Sequence, residues 1–188
     1  MSDERVPPRR MGPNGMFVAP EDDPREGRPG RGERDTLEGY LRSYRQTLEI
    51  KCAGLDPAGL AARSVAPSTL SLLGLVRHSA NVECHWFRRV IEGREVTIPF
   101  SSDEDPDVDF NGAVADEACV AEAFGAWHAE VAHAEEVLTG IEDLGRRVPW
   151  RDGELEVRDI LVHLIEEYAR HCGHADLLRE RVDGRAGE

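Results

Sequence analysis

Four stretches of the chain carry apolar residues at helical spacing, and the segments between them do not. In the first, Leu37, Leu41, Tyr44 and Leu48 recur at intervals of four, three and four, which puts them on one face of an α-helix. Asp35 or Thr36 can cap its free N–H groups, and the helix is expected to stop near Gly54, ahead of Asp56 and Pro57. The second stretch runs from about Ser68 to Glu92. Leu72, Leu75, Val76, Ser79, Val82, Trp86 and Val90 line one side of it, with Pro67 and Ser68 at its start and Gly93 at its end. The third runs from about Val114 to Ile141, with a stripe of Val120, Phe124, Trp127, Val131, Ala134, Leu138 and Ile141; Asp116 or Asp109 is a candidate cap. The fourth runs from about Leu155 to Val182 on Val157, Leu161, Leu164, Tyr168, Cys172 and Ala175, and Gly184 follows its end.

The acidic segment between the second and third stretches is too long for a tight helical hairpin, whereas Arg151, Asp152 and Gly153 suit a short hairpin before the fourth. Four amphipathic helices with one long crossover, between helices 2 and 3, predict an all-α four-helix bundle over residues 35–183. Residues 1–34 are rich in Pro, Gly and charge and hold too few apolar residues to offset their ordering entropy. They are expected to be flexible or draped on the body, with Met16, Phe17 and Val18 the residues able to dock. Residues 184–188 read as a short C-terminal tail.

Composition narrows the function classes. The formal net charge is −14, from 23 basic and 37 acidic residues, so a nucleic-acid partner is not expected, because phosphate neutralisation supplies most of that affinity. An anionic membrane surface is disfavoured for the same reason. No apolar run is long enough to span a bilayer, and the first residues lack a signal core; the expected location is cytoplasmic. Cys52, Cys84, Cys119 and Cys172 are widely spaced with no CxxC pair, which predicts reduced, mostly buried thiols.

The candidate chemistry lies on the fourth helix. His163, Glu167, His171 and His174 form a polar stripe beside the apolar one. Glu167 and His171, four apart, point the same way and can grip one metal ion. His78, at the edge of the second helix's stripe, is the best third ligand. Two histidines and a carboxylate leave a coordination position open, as catalytic zinc sites do, and the same set suits non-haem iron. His163, His174, Glu83 and His85 are candidates for holding those ligands or shuttling protons around them. Glu83 falls within the apolar arc of its helix, so it needs a charge or hydrogen-bond partner. Residues 107–112 imitate the start of an EF-hand loop, but its twelfth position is Ala118 where a bidentate glutamate is required, so a solvated acidic loop bordering the cleft is expected instead. His128 and His133 read as surface residues, Trp86 and Trp127 as core, and Trp150 as core or cleft lining.

The run from His78 to Phe87, together with the run from His163 to Glu180, resembles the DinB-like superfamily. The opening Asp35–Leu41 and the acidic Asp103–Phe110 are similar to its actinobacterial mini-circle branch, which is related to mycothiol-dependent S-transferases and maleylpyruvate isomerase. The resemblance covers about Asp35 to Arg181. It implies a four-helix bundle that holds a divalent metal through His78, Glu167 and His171, with Glu167 standing where the commonest pattern has histidine. Zinc is the first expectation, nickel or iron the alternatives. The implied activity is a metal-dependent transferase of a low-molecular-weight thiol of the mycothiol type, whose thiolate attacks an electrophilic small molecule. Its alternative is a non-catalytic metal-binding bundle in stress response or an interaction module. The partners implied are the thiol and the electrophile, with the protein a monomer or homodimer.

Overall fold

The structure, a computed structural model, describes residues 6–25 and 30–187. Helix α1 spans Gly32–Cys52, α2 Pro57–Ala61, α3 Leu72–Glu83, α4 Val108–Asn111, α5 Glu117–Thr139 and α6 Val157–Asp183. α3 runs on into a π-helical segment, Cys84–Ile91. The strands are short: β1 (Arg10–Met11) pairs in parallel with β4 (Arg185–Ala186), and β2 (Arg147–Trp150) pairs antiparallel with β3 (Gly153–Glu156). The molecule is thus the mostly helical bundle that the four apolar stripes predict.

Local chemistry sets the helix ends. Ser71 Oγ accepts the Gly74 N–H at 3.1 Å, so α3 begins at Leu72, later than the Ser68 suggested by the sequence. Asp116 caps α5 by accepting from the N–H groups of Ala118 and Cys119. α6 starts after Leu155 because that residue is used in the β2–β3 hairpin; Glu156 and Asp159 then form a reciprocal capping box. Gly184 ends α6 with φ of 81°, and a Cβ there would run into the Pro8 carbonyl.

Helix directions follow from which residues meet. Glu33 pairs with Arg158 at the starts of α1 and α6, and Lys51 with Asp176 further along both, so these two run in parallel. Arg77 meets Cys119 and Arg88 meets Glu130, so α3 and α5 are also parallel. His78 meets Glu167 and Trp86 meets His163, so α3 opposes α6. A parallel α3–α5 pair requires a crossover along the length of the bundle, and residues 92–116 supply it. Leu41, Leu48, Leu75, Val76, Ala123, Leu138, Leu161 and Leu164 are among the buried residues between the helices.

One polar cluster interrupts this core and joins all four long helices. Arg45 of α1 donates from Nε and an NH2 nitrogen to the two oxygens of Glu83 on α3, both at 2.7 Å. Tyr168 of α6 donates its hydroxyl to Glu83 at 2.7 Å, and Trp127 of α5 donates its indole N–H to the Tyr168 oxygen at 2.8 Å. Glu83 is wholly buried, and Arg45 supplies the partner that its place in an apolar arc demands. Burial opposes the Arg45 charge, but Glu83 beside it more than compensates and raises the guanidinium pKa. Burial and the same carboxylate raise the Tyr168 hydroxyl well above its ordinary value, which keeps it a donor.

Residues 6–25 lie against the end of the α1–α6 pair, and Phe17 is buried there with Lys51 Nζ at 4.3 Å and the Arg185 guanidinium at 4.1 Å from its ring centre. The remaining parts of the first segment, residues 1–5 and 26–29, and residue 188 of the last, lie outside the described residues. No helix among the described residues is long and apolar enough to cross a membrane. The cysteines are free, Cys119 half-buried and the other three buried.

Because Glu83 and Arg45 have no water to replace a lost partner, Glu83→Ala is expected to destabilise the fold by about 3–5 kcal/mol in denaturant titration. Replacing both members with apolar residues of similar volume should cost much less.

Candidate metal centre

The antiparallel packing of α3 on α6 brings His78 opposite Glu167 and His171. His78 Nε2 lies 3.1 Å from Glu167 Oε1, and His171 Nε2 lies 3.1 Å from the same oxygen. The two imidazole rings are 4.8 Å apart and tilted by 58°. One candidate ligand atom from each of the three residues lies within 4.8 Å of the others, and all three residues are half-buried. The three residues named from spacing and resemblance therefore converge at one point.

Asp109, on α4, holds the other side of His78: its Oδ2 lies 2.8 Å from His78 Nδ1. The neighbouring Phe110 ring stacks on the imidazole, 5.1 Å between centres. α4 is itself clamped to α3. Arg77 donates to the carbonyls of Asp109 (2.8 Å) and Val108 (3.2 Å), and its guanidinium lies 4.0 Å over the Phe100 ring. Asn81 brackets the Phe100 backbone, donating to its carbonyl and accepting from its N–H. Gly112 is required where the crossover leaves the clamp, since a Cβ there would sit 2.7 Å from the Arg77 guanidinium.

This arrangement fits a cation. Asp109 accepts a hydrogen bond from the Nδ1–H, so a neutral His78 presents the lone pair of Nε2 toward the Glu167 carboxylate. Two acceptors and a third from His171 then face one another, which is repulsive unless a proton or a metal ion lies between them. The neighbours of His78 favour a proton there. Burial opposes it, but the hydrogen bonds to Asp109 and Glu167 prevail and raise the His78 pKa. Burial likewise works against the Glu167 carboxylate, but His78 and His171 outweigh it and lower its pKa. Burial, and then the charge on His78, lower the pKa of His171. The carboxylate on the far side of His78 is the arrangement by which such residues orient an imidazole ligand.

The other residues singled out from sequence have separate places. His174 Nδ1 lies 3.3 Å from His171 Nδ1, where it can receive the proton of a His171 that ligates through Nε2. Arg170 reaches the outer oxygen of Glu167 at 3.4 Å. His163 rests on Trp86, with 4.8 Å between ring centres, and His85 meets Trp86 and Trp150 edge-on at 5.3 and 5.8 Å. Glu83 has the core partners already described. His128 pairs with Glu49 and His133 with Glu92, away from this point. In the sequence Asp109 stands out only as a candidate cap and as part of a calcium-like loop. It sits 31 residues from His78 across an irregular segment, so no periodicity could connect them.

A helical bundle in which two imidazoles and a carboxylate converge between its antiparallel second and last long helices is what the resemblance to the DinB-like superfamily implies. More particularly, the chain belongs to the mycothiol-S-transferase family, whose model matches residues 36–184. No curated protein and no solved structure matches it.

Two outcomes test the centre. Asp109→Asn should weaken metal binding by about 10- to 100-fold in a chelator competition, with the helical circular dichroism unchanged. Metal affinity of the native protein should fall with decreasing pH once the medium drops below the raised His78 pKa, by about tenfold per unit for one competing proton. Glu167, held ionised by its lowered pKa, adds no proton to that competition in the same window.

Proposed function

We propose that this protein is a metal-dependent S-transferase that joins the sulfur of mycothiol, or a closely similar low-molecular-weight thiol, to an electrophilic small molecule. Membership of the mycothiol-S-transferase family supports the transferase chemistry. The single observation that carries the metal dependence is the convergence of His78, Glu167 and His171.

Those three residues would hold the ion, zinc by first preference and nickel or iron as alternatives. Three protein ligands leave a position at which a zinc ion would bind a thiol sulfur and lower its pKa, so that the thiolate is present at neutral pH. The chain's own residues arrange the rest. Asp109 accepts a hydrogen bond from the Nδ1–H of His78 and keeps Nε2 turned inward. His174 does the same service at His171 Nδ1. Glu167 contributes negative charge between two neutral imidazoles. Half-burial of all three limits water at the reacting centre without closing it to small molecules.

In the transfer, the thiol gives up its proton to solvent and a sulfur lone pair forms the new S–C bond. A leaving group departs with its bonding pair; if the acceptor is an activated alkene, the π pair moves to the neighbouring carbon, which takes a proton from water. No protein nucleophile is required, and the chain's buried thiols do not compete. Burial pushes Cys52 and Cys172 up to about 12, which leaves them protonated and inert near neutrality.

The test uses zinc-loaded protein with mycothiol and monobromobimane, followed by fluorescence of the conjugate. Turnover is expected, with the rate falling to the protein-free level in His171→Ala and Glu167→Gln. Turnover unaffected by either substitution would remove the centre from the reaction. Zinc-dependent thermal stabilisation with no conjugate formed and no added stabilisation by mycothiol would identify a binding bundle instead.

A further inference from the structure

The candidate ligands of α6 face α3, and the helix has a second working side. Helical spacing turns Ala169, Cys172 and Asp176 away from α3 and toward α1. There the Cys172 thiol donates to the Tyr44 carbonyl at 3.5 Å, and Asp176 pairs with Lys51 at 2.7 Å. Along this side runs a groove of about 620 Å³, a volume in the range of small-molecule sites. Its third wall is the segment that carries Asn14, Met16, Pro20 and Arg25. That segment is pinned on α1 twice: Phe17 is buried with Lys51 Nζ over its ring, and Arg25 donates to the Thr47 hydroxyl at 3.2 Å. Three parts of the chain that are distant in sequence therefore shape one groove.

Its charged groups are already matched. Arg25 donates to the two Asp23 oxygens at 2.9 and 2.7 Å, and Lys51 meets Asp176. A charged ligand would have to draw one member of a pair away. The member left behind would be uncompensated, and Asp23, Arg25 and Lys51 are all largely shielded from water. The lining groups with no hydrogen-bond partner among the described residues are neutral, and they include the hydroxyls of Tyr40, Ser43 and Tyr44. Tyr40 and Tyr44 stand one turn apart on α1. Neither ring meets another aromatic ring among the described residues, and Tyr40 is 59% exposed, so its face is free. Met16 and Pro20 add apolar surface from the segment. Burial, and then Asp176, push the Cys172 thiol up to about 12, which makes it a neutral, unreactive part of the floor. Phenol rings, a thioether and unpartnered hydroxyls suit a flat apolar body with a hydrogen-bonding edge.

We infer that the groove between residues 14–25 and the α1–α6 pair is a second binding site, and that it takes neutral aromatic molecules bearing a hydroxyl or carbonyl group. It lies on the opposite side of α6 from the candidate centre, and its existence does not rest on the transferase reading. The ligand is held without any bond being made or broken.

Equilibrium dialysis of the full chain against 2-naphthol tests the site. Saturable binding of one equivalent is expected. Gly173 lines the groove, and a Cβ there would meet nothing within 4 Å. Gly173→Leu therefore fills the groove and not the core, in a helix that leucine favours over glycine. It should weaken binding at least about tenfold by occlusion, with native circular dichroism. Tyr40→Ala, at an exposed position, should weaken it about fivefold and serves if Gly173→Leu does not fold. The same ring system with a negative charge, 2-naphthoate, should bind at least about tenfold more weakly than 2-naphthol. His171→Ala, at the candidate centre, should leave the 2-naphthol affinity within about twofold of native. Native affinity in a folded Gly173→Leu, native affinity in Tyr40→Ala, 2-naphthoate binding as tight as 2-naphthol, or loss of binding in His171→Ala would each overturn the site.

Discussion

The buried carboxylate of Glu83 is the constraint around which this bundle is arranged. A charge with no access to water must be met by directed partners, and here each partner comes from a different helix: Arg45 from α1, Tyr168 from α6, and Trp127 of α5 through the Tyr168 hydroxyl. Apolar packing alone tolerates small slips of one helix along another, because leucine contacts have no direction. The bidentate Arg45–Glu83 pair and the tyrosine bond do not. A slip of α6 against α3 would leave Glu83 short of one donor and Tyr168 with an unmet hydroxyl.

That register sets the candidate centre. Tyr168 is adjacent to Glu167, and Glu83 lies just over one turn from His78, so a single relation between α3 and α6 satisfies the core carboxylate and aligns the three candidate ligands together. The two clusters occupy opposite sides of the same contact. One is sealed and fully paired; the other is half-exposed and brings two imidazoles and a carboxylate together. The difference in burial fits the role proposed for the second cluster, since a group that would bind and release a metal or a thiol cannot be closed off from solvent.

The parallel arrangement of α3 and α5 has a second consequence. It makes the long crossover unavoidable, and the crossover brings Asp109 and Phe110 to His78. Arg77 and Asn81, on the same helix as His78, tie that irregular segment down by backbone hydrogen bonds. The segment that reads as an acidic loop is thereby part of the centre's support. The negative charge near the candidate centre, from Glu167 and from Asp109 behind His78, favours a cation there.

The amino-acid sequence by itself determined the helical elements and the bundle, because amphipathic stripes such as Leu37–Leu48 and Val157–Ala175 are local patterns with a fixed period. It also singled out His78, Glu167 and His171: two of these are an i, i+4 pair legible on any helical wheel, and the third stands at the edge of the second helix's apolar stripe, where the motif resemblance also puts it. It further marked Glu83 as a carboxylate in need of a partner, without saying that Arg45 would be that partner. Only the tertiary structure decided the contacts that join residues distant in the chain. The Asp109 bond to His78, the β2–β3 hairpin that carries Trp150 onto Trp86, the parallel pairing of residues 10–11 with 185–186, and the division of Glu83 into the core and His163 onto Trp86 all depend on the crossing of helices. Periodicity reports which side of one helix is apolar. Which helix that side meets, and at what register, is set by directed polar bonds between segments, and those leave no periodic trace.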